Sequence, residues 1–175
     1  MTYAIKDYNQ EHMARGKGLS LPISFKQSVE ICSFIRNKSV NDAKKILNGV
    51  LTKKSIIPFK RFNSDMGHKS KIGPGRYPIK ASGEIVKLLE SIEANAQFKG
   101  LNTSDLMIIN ISVNKAQKTW HYGRKRRRKA KRTNIELVVE EKKKEDKVVK
   151  GEKTDIKQKE ESKKMPVKKQ EGKEK

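Results

Sequence analysis

Three observations predict an α+β domain: three helices packed on a small antiparallel sheet, with a long basic β-hairpin arm and a disordered C-terminal tail. Three segments between Ser24 and Gly100 carry apolar residues at helical spacing. Two later segments alternate apolar and polar residues. The composition then changes abruptly at Glu140, and from 140 to 175 the chain holds 14 Lys, no Arg and 10 Asp or Glu, so 24 of 36 positions are charged. A stretch of that kind cannot bury enough apolar surface to offset the entropy of ordering, and it reads as disordered. The chain therefore divides into a folded part, 1–141, which includes the arm at 114–132, and a Lys/Glu-rich tail, 142–175.

The helices follow from period and punctuation. Ser24 with Gln27 three residues later reads as a capping-box start, and Phe25, Val29 and Cys32 with Ile31, Phe34 and Ile35 make a broad apolar face to about Arg36. Ser39 with Asp42 opens a second helix, striped by Val40, Ala43, Ile46, Leu47, Val50 and Leu51. Pro78 suits the first turn of a third, whose face is Ala81, Ile85, Leu88, Leu89, Ile92 and Ala96 and whose end is Gly100.

The strands follow from parity. In Leu106 to Val113 the odd positions Met107, Ile109, Ile111 and Val113 are apolar, and in Asn134 to Glu140 so are Ile135, Leu137 and Val139. Both strands are expected to bury their odd face. Pairing 111 with 135 and 109 with 137 makes one hairpin centred on Gly123, and a third strand is expected around Tyr3 and Ile5.

Charge narrows the function. The 175 residues carry 42 Lys or Arg against 20 Asp or Glu, a net charge of +22, and residues 1–139 carry +18 of it. Such an excess needs an anionic partner, and nucleic acid is the commonest large one inside cells. No run approaches the roughly 18 apolar residues of a membrane span, and Met1 to Gln10 lacks the apolar core of a secretory signal. A soluble, intracellular protein is expected. Catalysis finds no constellation: His12, His68 and His121 are dispersed, Cys32 lies alone on an apolar helical face, and Glu90 and Glu93 are helical surface residues. No metal and no cofactor is expected.

Two segments concentrate the cations. From Asn114 to Arg132 there are ten and no acid: Lys115, Lys118, Arg124, Lys125, Arg126, Arg127, Arg128, Lys129, Lys131 and Arg132. The expected register sets Lys115 opposite Lys131 and Lys118 opposite Arg128, so neighbours repel, and both faces of the ribbon present cations. An arm of this kind is expected to thread between nucleic-acid segments and to order there. Trp120, His121 and Tyr122 either stack on unpaired bases or pack on one another at the turn. The second segment, Lys53 to Tyr77, is too long for an unengaged connection. It carries Lys60, Arg61, His68, Lys69, Lys71 and Arg76, with Gly73 and Gly75 allowing close backbone approach just before a helix N-terminus. Cations in loops and an arm, with the helices spent on a core, suit irregular RNA better than a duplex groove. The alternative is a general RNA/DNA-binding chaperone or a chromatin-type protein.

Read together, VEICSFIRNKSVNDAKKIL, PFKRFNSDMGHKSKIGPGRYPIKAS, LLESIEANAQFKGLNTSDLMIINISVNKA and the closing TNIELVVEE resemble large-subunit ribosomal protein twenty-two across about residues 1 to 141. ARGKGLSLPIS and GPGRYPIKAS look like its archaeal and eukaryotic branch. The resemblance implies a structural, non-enzymatic cytoplasmic protein of the large ribosomal subunit, bound to large-subunit (23S-type) rRNA and to other large-subunit proteins. It also implies that the arm reaches the nascent-polypeptide exit tunnel, with Tyr122, Gly123 and Arg124 at its tip and the nascent chain as a further contact. Neither a membrane nor a homo-oligomer is implied. The arm departs from the family's in being a few residues shorter and in ending GRKRRRKAKR.

Overall fold

A computed structural model describes residues 8–142. The expected strand around Tyr3 and Ile5, and the tail from Lys143 onward, lie outside the described residues. The third strand of the sheet is β1, Met13–Leu21, and it is followed by helices α1, Phe25–Ile35, and α2, Val40–Leu51. Three short strands come next, β2 at Ile57–Pro58, β3 at His68–Lys69 and β4 at Gly73–Arg76, then helix α3, Ile79–Phe98. Strands β5, Leu106–Lys115, and β6, Thr133–Glu141, enclose the arm.

The main sheet is antiparallel in the order β1-β6-β5. The α3 helix packs on β1, α1 on β5, and α2 on both α3 and β5. The expected α3 stripe is all buried, because one face of a 20-residue helix meets the sheet and α2 along its whole length. Gly100 at φ +75° closes that helix in a Schellman arrangement, with the Leu101 N–H donating to the Ala96 carbonyl at 3.0 Å and the Gly100 N–H to that of Gln97 at 2.9 Å. Ser39 caps α2 as expected, accepting from the Asp42 N–H at 3.0 Å. Ser24 begins α1 but its side chain makes no cap bond, so the capping box is absent there. The buried face of α1 also differs: Ser28 and Glu30 are buried while Phe25 and Val29 are only half-buried.

The odd positions of β6 are buried as expected, but Glu136 and Val138 on its even face are buried as well, and in the first half of β5 the expected parity fails. Leu106 and Ile108 are buried there, Met107 is half-buried and Ile109 is exposed. A β-bulge is the cause: Ile108 pairs with Val139 but Asn110 with Val138, so Ile109 is the extra residue and the faces exchange. The bulge brings Leu106, Ile108 and Ile111 to the core together. Beyond it Ile111 faces Leu137 rather than Ile135, two residues from the expected register. Parity constrains register only in steps of two, and the loop, not the alternation, selects the step.

The outer edge of β5 is covered. The Asn37 N–H donates to the Ile108 carbonyl and the Ile108 N–H to that of Lys38, both at 3.0 Å, while the Arg36 guanidinium donates to Ile111 O at 3.0 Å. These bonds occupy groups that would otherwise offer a strand edge to another chain.

Candidate nucleic-acid interface

The segment expected to be a long loop is folded. Its three short strands form an antiparallel sheet in the order β2-β4-β3, with Ile57 opposite Arg76 and His68 opposite Pro74. Ile57 and Phe59 bury themselves in the core. Between them and β3 the chain is gripped by Glu30, whose carboxylate accepts from the N–H groups of Lys60, Arg61 and Phe62 at 3.0, 2.9 and 2.7 Å. Glu30 is only 3% exposed, and these three donors offset what burying its charge costs. The bonds fix the backbone from which Lys60 and Arg61 project, both exposed. Nothing in the helical pattern around Glu30 marks it, since one acid among apolar neighbours reads as a solvent-facing residue.

Gly75 serves the fold. A Cβ there would lie 2.7 Å from Ile56 Cγ2 and 3.2 Å from the Ile57 carbonyl oxygen, so its bareness lets β4 lie against β2. Gly73 at φ +80° has open space around it and supplies the turn. His68, Lys69, Lys71 and Arg76 are all exposed. The α3 N-terminus follows directly, with Pro78 as N-cap, no side-chain cap and no acid in the first turn.

The arm leaves the sheet where β5 and β6 end. Lys115 stands opposite Thr133 and not Lys131, so the repulsive pair expected at its base does not occur. Three backbone bonds carry the ribbon outward, from Ala116 N–H to Arg132 O, Ala130 N–H to Thr119 O and His121 N–H to Arg128 O, at 3.2, 2.8 and 2.9 Å. Trp120 pairs with Lys129. The turn is broader than one centred on Gly123: residues 122–127 span it, with Gly123 at φ +64° opening a short 3₁₀ turn, Gly123–Lys125. Tyr122, Gly123 and Arg124 therefore form its first half.

All the expected arm cations are exposed except Arg132, which is half-buried and donates to the Ser20 carbonyl at 3.0 Å. Arg132 thus ties the arm's root to β1. Among the described residues none of the ten forms an ion pair with a carboxylate. Trp120 and Tyr122 do not pack on each other. The Lys129 ammonium sits 4.2 Å from the Trp120 ring centroid, leaving Trp120 60% exposed, and Tyr122 is 94% exposed.

Aromatic residues that the sequence reading assigned to the core, or passed over, join the two basic elements. Lys115 Nζ lies 5.4 Å from the Phe25 ring centroid, Phe25 meets Phe62 edge-on at 6.4 Å, and Arg61 and Lys26 lie 5.4 and 5.5 Å from the Phe62 ring. The arm's root and the first part of the folded segment thus share one cation-aromatic junction at the start of α1. The available signal was a phenylalanine beside two cations in KRF, paired with an amphipathic phenylalanine at a helix start.

The thiol of Cys32 is buried, and burial pushes its pKa up to about 12 against a smaller opposing effect of Arg36. It is held as a neutral apolar group. Among the described residues no three His, Cys, Asp or Glu side chains gather where a metal could be held, and no helix is long and apolar enough to cross a membrane.

Comparison with known proteins agrees with this geometry. The family model for ribosomal protein L22p/L17e matches residues 16–140, which takes in the helices, the whole arm and all but the outermost residues of the sheet. The large ribosomal subunit protein uL22 of Archaeoglobus fulgidus is 38% identical over 148 residues, covering 80% of this chain and 96% of that protein. Its counterpart from Methanoregula boonei is 43% identical over 140 residues, covering 75% and 91%.

Proposed function

We propose that this chain, which belongs to the ribosomal protein L22p/L17e family, is a structural constituent of the large ribosomal subunit that binds large-subunit rRNA and supports its assembly. The observation that carries the reading is the arm: ten cations beyond the core, none neutralised by a carboxylate among the described residues, on a ribbon with three cross-strand backbone bonds below its turn. The protein spends its stability on the core and leaves the arm's charge for phosphates. Each phosphate neutralised releases counterions, so binding should weaken steeply with salt.

Lys115, Lys118, Arg124 to Lys129 and Lys131 contact rRNA phosphates, Trp120 and Tyr122 offer ring faces to unpaired bases, and His121 adds a donor beside them. In the folded segment Lys60, Arg61, His68, Lys69, Lys71 and Arg76 make the second set of contacts, with Gly73 admitting the RNA backbone. Arg132 and Gly75 act from beneath, the first holding the arm's root and the second the strand pairing. The arm orders between RNA segments and extends toward the exit tunnel, with Tyr122, Gly123 and Arg124 leading and the nascent chain as a contact there. Other large-subunit proteins flank the domain, the chain enters as a single copy, and it carries out no catalysis. The division into 1–141 as the rRNA-binding part and 142–175 as an appended tail belongs to the same reading.

The test is sedimentation of the protein from native lysate at high salt, with and without nuclease, followed by sequencing of UV-crosslinked RNA. Co-migration with the large subunit and crosslinks confined to its rRNA are expected. A slowly sedimenting protein crosslinked to many unrelated RNAs would instead make it a general nucleic-acid binder.

A further inference from the structure

The chain just ahead of β1 is held in place without a core. Asn9, Gln10 and Glu11 are exposed, Tyr8, His12 and Met13 are half-buried, and Ala14 is the first of them to be fully buried. The sheet takes hold at His12, whose carbonyl accepts from the Glu141 N–H at 3.0 Å, and at Met13, which pairs with Glu140. Residues 8–11 lie before that point, and none of their side chains is buried.

What reaches them is Lys99, the residue that closes α3. Its backbone is set by the helix end, the N–H donating to the Asn95 and Ala96 carbonyls at 3.3 and 3.1 Å. Its ammonium donates to the Tyr8 hydroxyl at 2.5 Å, to the Met13 carbonyl at 3.0 Å and to the Gln10 carbonyl at 3.2 Å. An ammonium has three N–H donors, and here each has an oxygen of its own. The Tyr8 hydroxyl donates in turn to the Met13 carbonyl at 2.9 Å, and the Arg15 guanidinium and the Lys99 ammonium lie 4.3 and 5.0 Å from the centroid of its ring. Among the described residues the other hydrogen bonds of this segment are local. Asn9 accepts the Met13 N–H on its carbonyl at 3.1 Å and the Glu11 N–H on its side chain at 3.0 Å. Those two bonds shape a turn and do not fasten it to the body of the domain.

We propose that residues 8–11 form a strap across the end of α3, that Lys99 is its latch, and that loss of this one positive charge opens the strap while β1 stays in the sheet. The three oxygens come from three different residues, so a neutral side chain with one donor or none cannot replace the ammonium. The hinge is His12–Met13, where the contacts to Glu141 and Glu140 begin. The strap lies at the end of the sheet where β6 finishes, whereas the arm leaves where β6 starts, so the inference is independent of the RNA-binding reading.

The test is amide hydrogen exchange of the full chain, resolved by NMR. In Lys99→Met, which keeps the aliphatic stem and loses every donor, the Glu11 and Met13 amides should exchange about tenfold faster or more. The amides of Ala14, Gly16 and Gly18 within β1 should keep their rates, and the thermal midpoint should not move. Tyr8→Phe keeps the ring beside both cations and removes only the hydroxyl, so it should speed the same two amides by a smaller factor, about threefold. Unchanged exchange at Glu11 and Met13 in Lys99→Met would overturn the latch. Faster exchange spreading through β1 would overturn it as well, because Lys99 would then hold the sheet and not a strap.

Discussion

The two basic elements carry charge of the same sign and are built in opposite ways. The segment from Lys53 to Tyr77 is tied down from within: Ile57 and Phe59 are buried, Gly75 lets two strands touch, and the Glu30 carboxylate holds three successive N–H groups. The arm has no buried residue between Asn114 and Arg132, and three backbone bonds join its strands below the turn. One element is held in shape by core packing, and the other by backbone bonds alone. A preorganised surface loses little conformational entropy on binding and can discriminate by form, whereas a loose arm loses more but can follow whatever path the RNA offers.

The largest effect should come from reversing the arm's charge. Arg126→Glu, Arg127→Glu and Arg128→Glu together should block incorporation into the large subunit and flatten the log-log salt dependence of RNA binding by roughly 2 to 3. The thermal midpoint should stay unchanged, because these side chains touch no core. A lowered midpoint would show that the arm contributes to the fold and would remove the contrast.

Next in size is Glu30→Ala, which leaves three N–H groups without their acceptor and should cost about 3 to 5 kcal/mol in urea unfolding. Amide exchange should speed up at Lys60 to Phe62 while the arm's pattern stays as it was. Glu30→Gln should cost less: the retained oxygen can still take the Arg61 and Phe62 N–H groups, which share Oε1, and only the Lys60 N–H then faces a donor.

A pair of glycines sharpens the contrast further. Gly75→Ala places a methyl group against Ile56 and the Ile57 carbonyl and should destabilise the domain by about 1 to 3 kcal/mol. Gly123→Ala meets nothing within 4 Å, and its strain at φ +64°, about 1 kcal/mol, should not register in global unfolding. It should show only as altered exchange around the turn.

Near neutral pH the smallest effect concerns Cys32, on the same helix as Glu30. Burial raises its pKa from 9.0 to about 12, so from about pH 9 the unfolded chain gives up a proton that the folded one keeps. This thiol should therefore lower stability as the pH rises from about 9 toward 12, and contribute no pH dependence below that window. Cys32→Ala should show a shallower loss of thermal midpoint between pH 9 and 11 than the unaltered chain. In the unaltered chain a thiol reagent at pH 8 should react only on unfolding.

Several of the departures from the sequence reading share one origin. The α3 stripe and the β6 alternation were legible because each repeats over enough residues to leave one interpretation. Leu106 to Ile109 is apolar throughout, so alternation could not say where the faces exchange. The bulge at Ile109 is where the strand meets Asn37 and Lys38 across its outer edge. Gly75 looked like room for a ligand because its sequence neighbours do not include Ile56 and Ile57, which occupy that room. Glu30 was invisible for the same reason, its partners lying 30 to 32 positions away.

By itself the sequence determined the class of fold, the three helices, the hairpin, the concentration of cations in two segments and the resemblance to a ribosomal family. Periodicity and charge are local sums and survive any arrangement of the rest. Only the tertiary structure decided the hairpin register, the bulge, the Glu30 anchor and the aromatic junction of Phe25 with Phe62. Each of these depends on closing a long loop so that distant residues meet, and the free energy of such a closure belongs to the packed whole rather than to either segment.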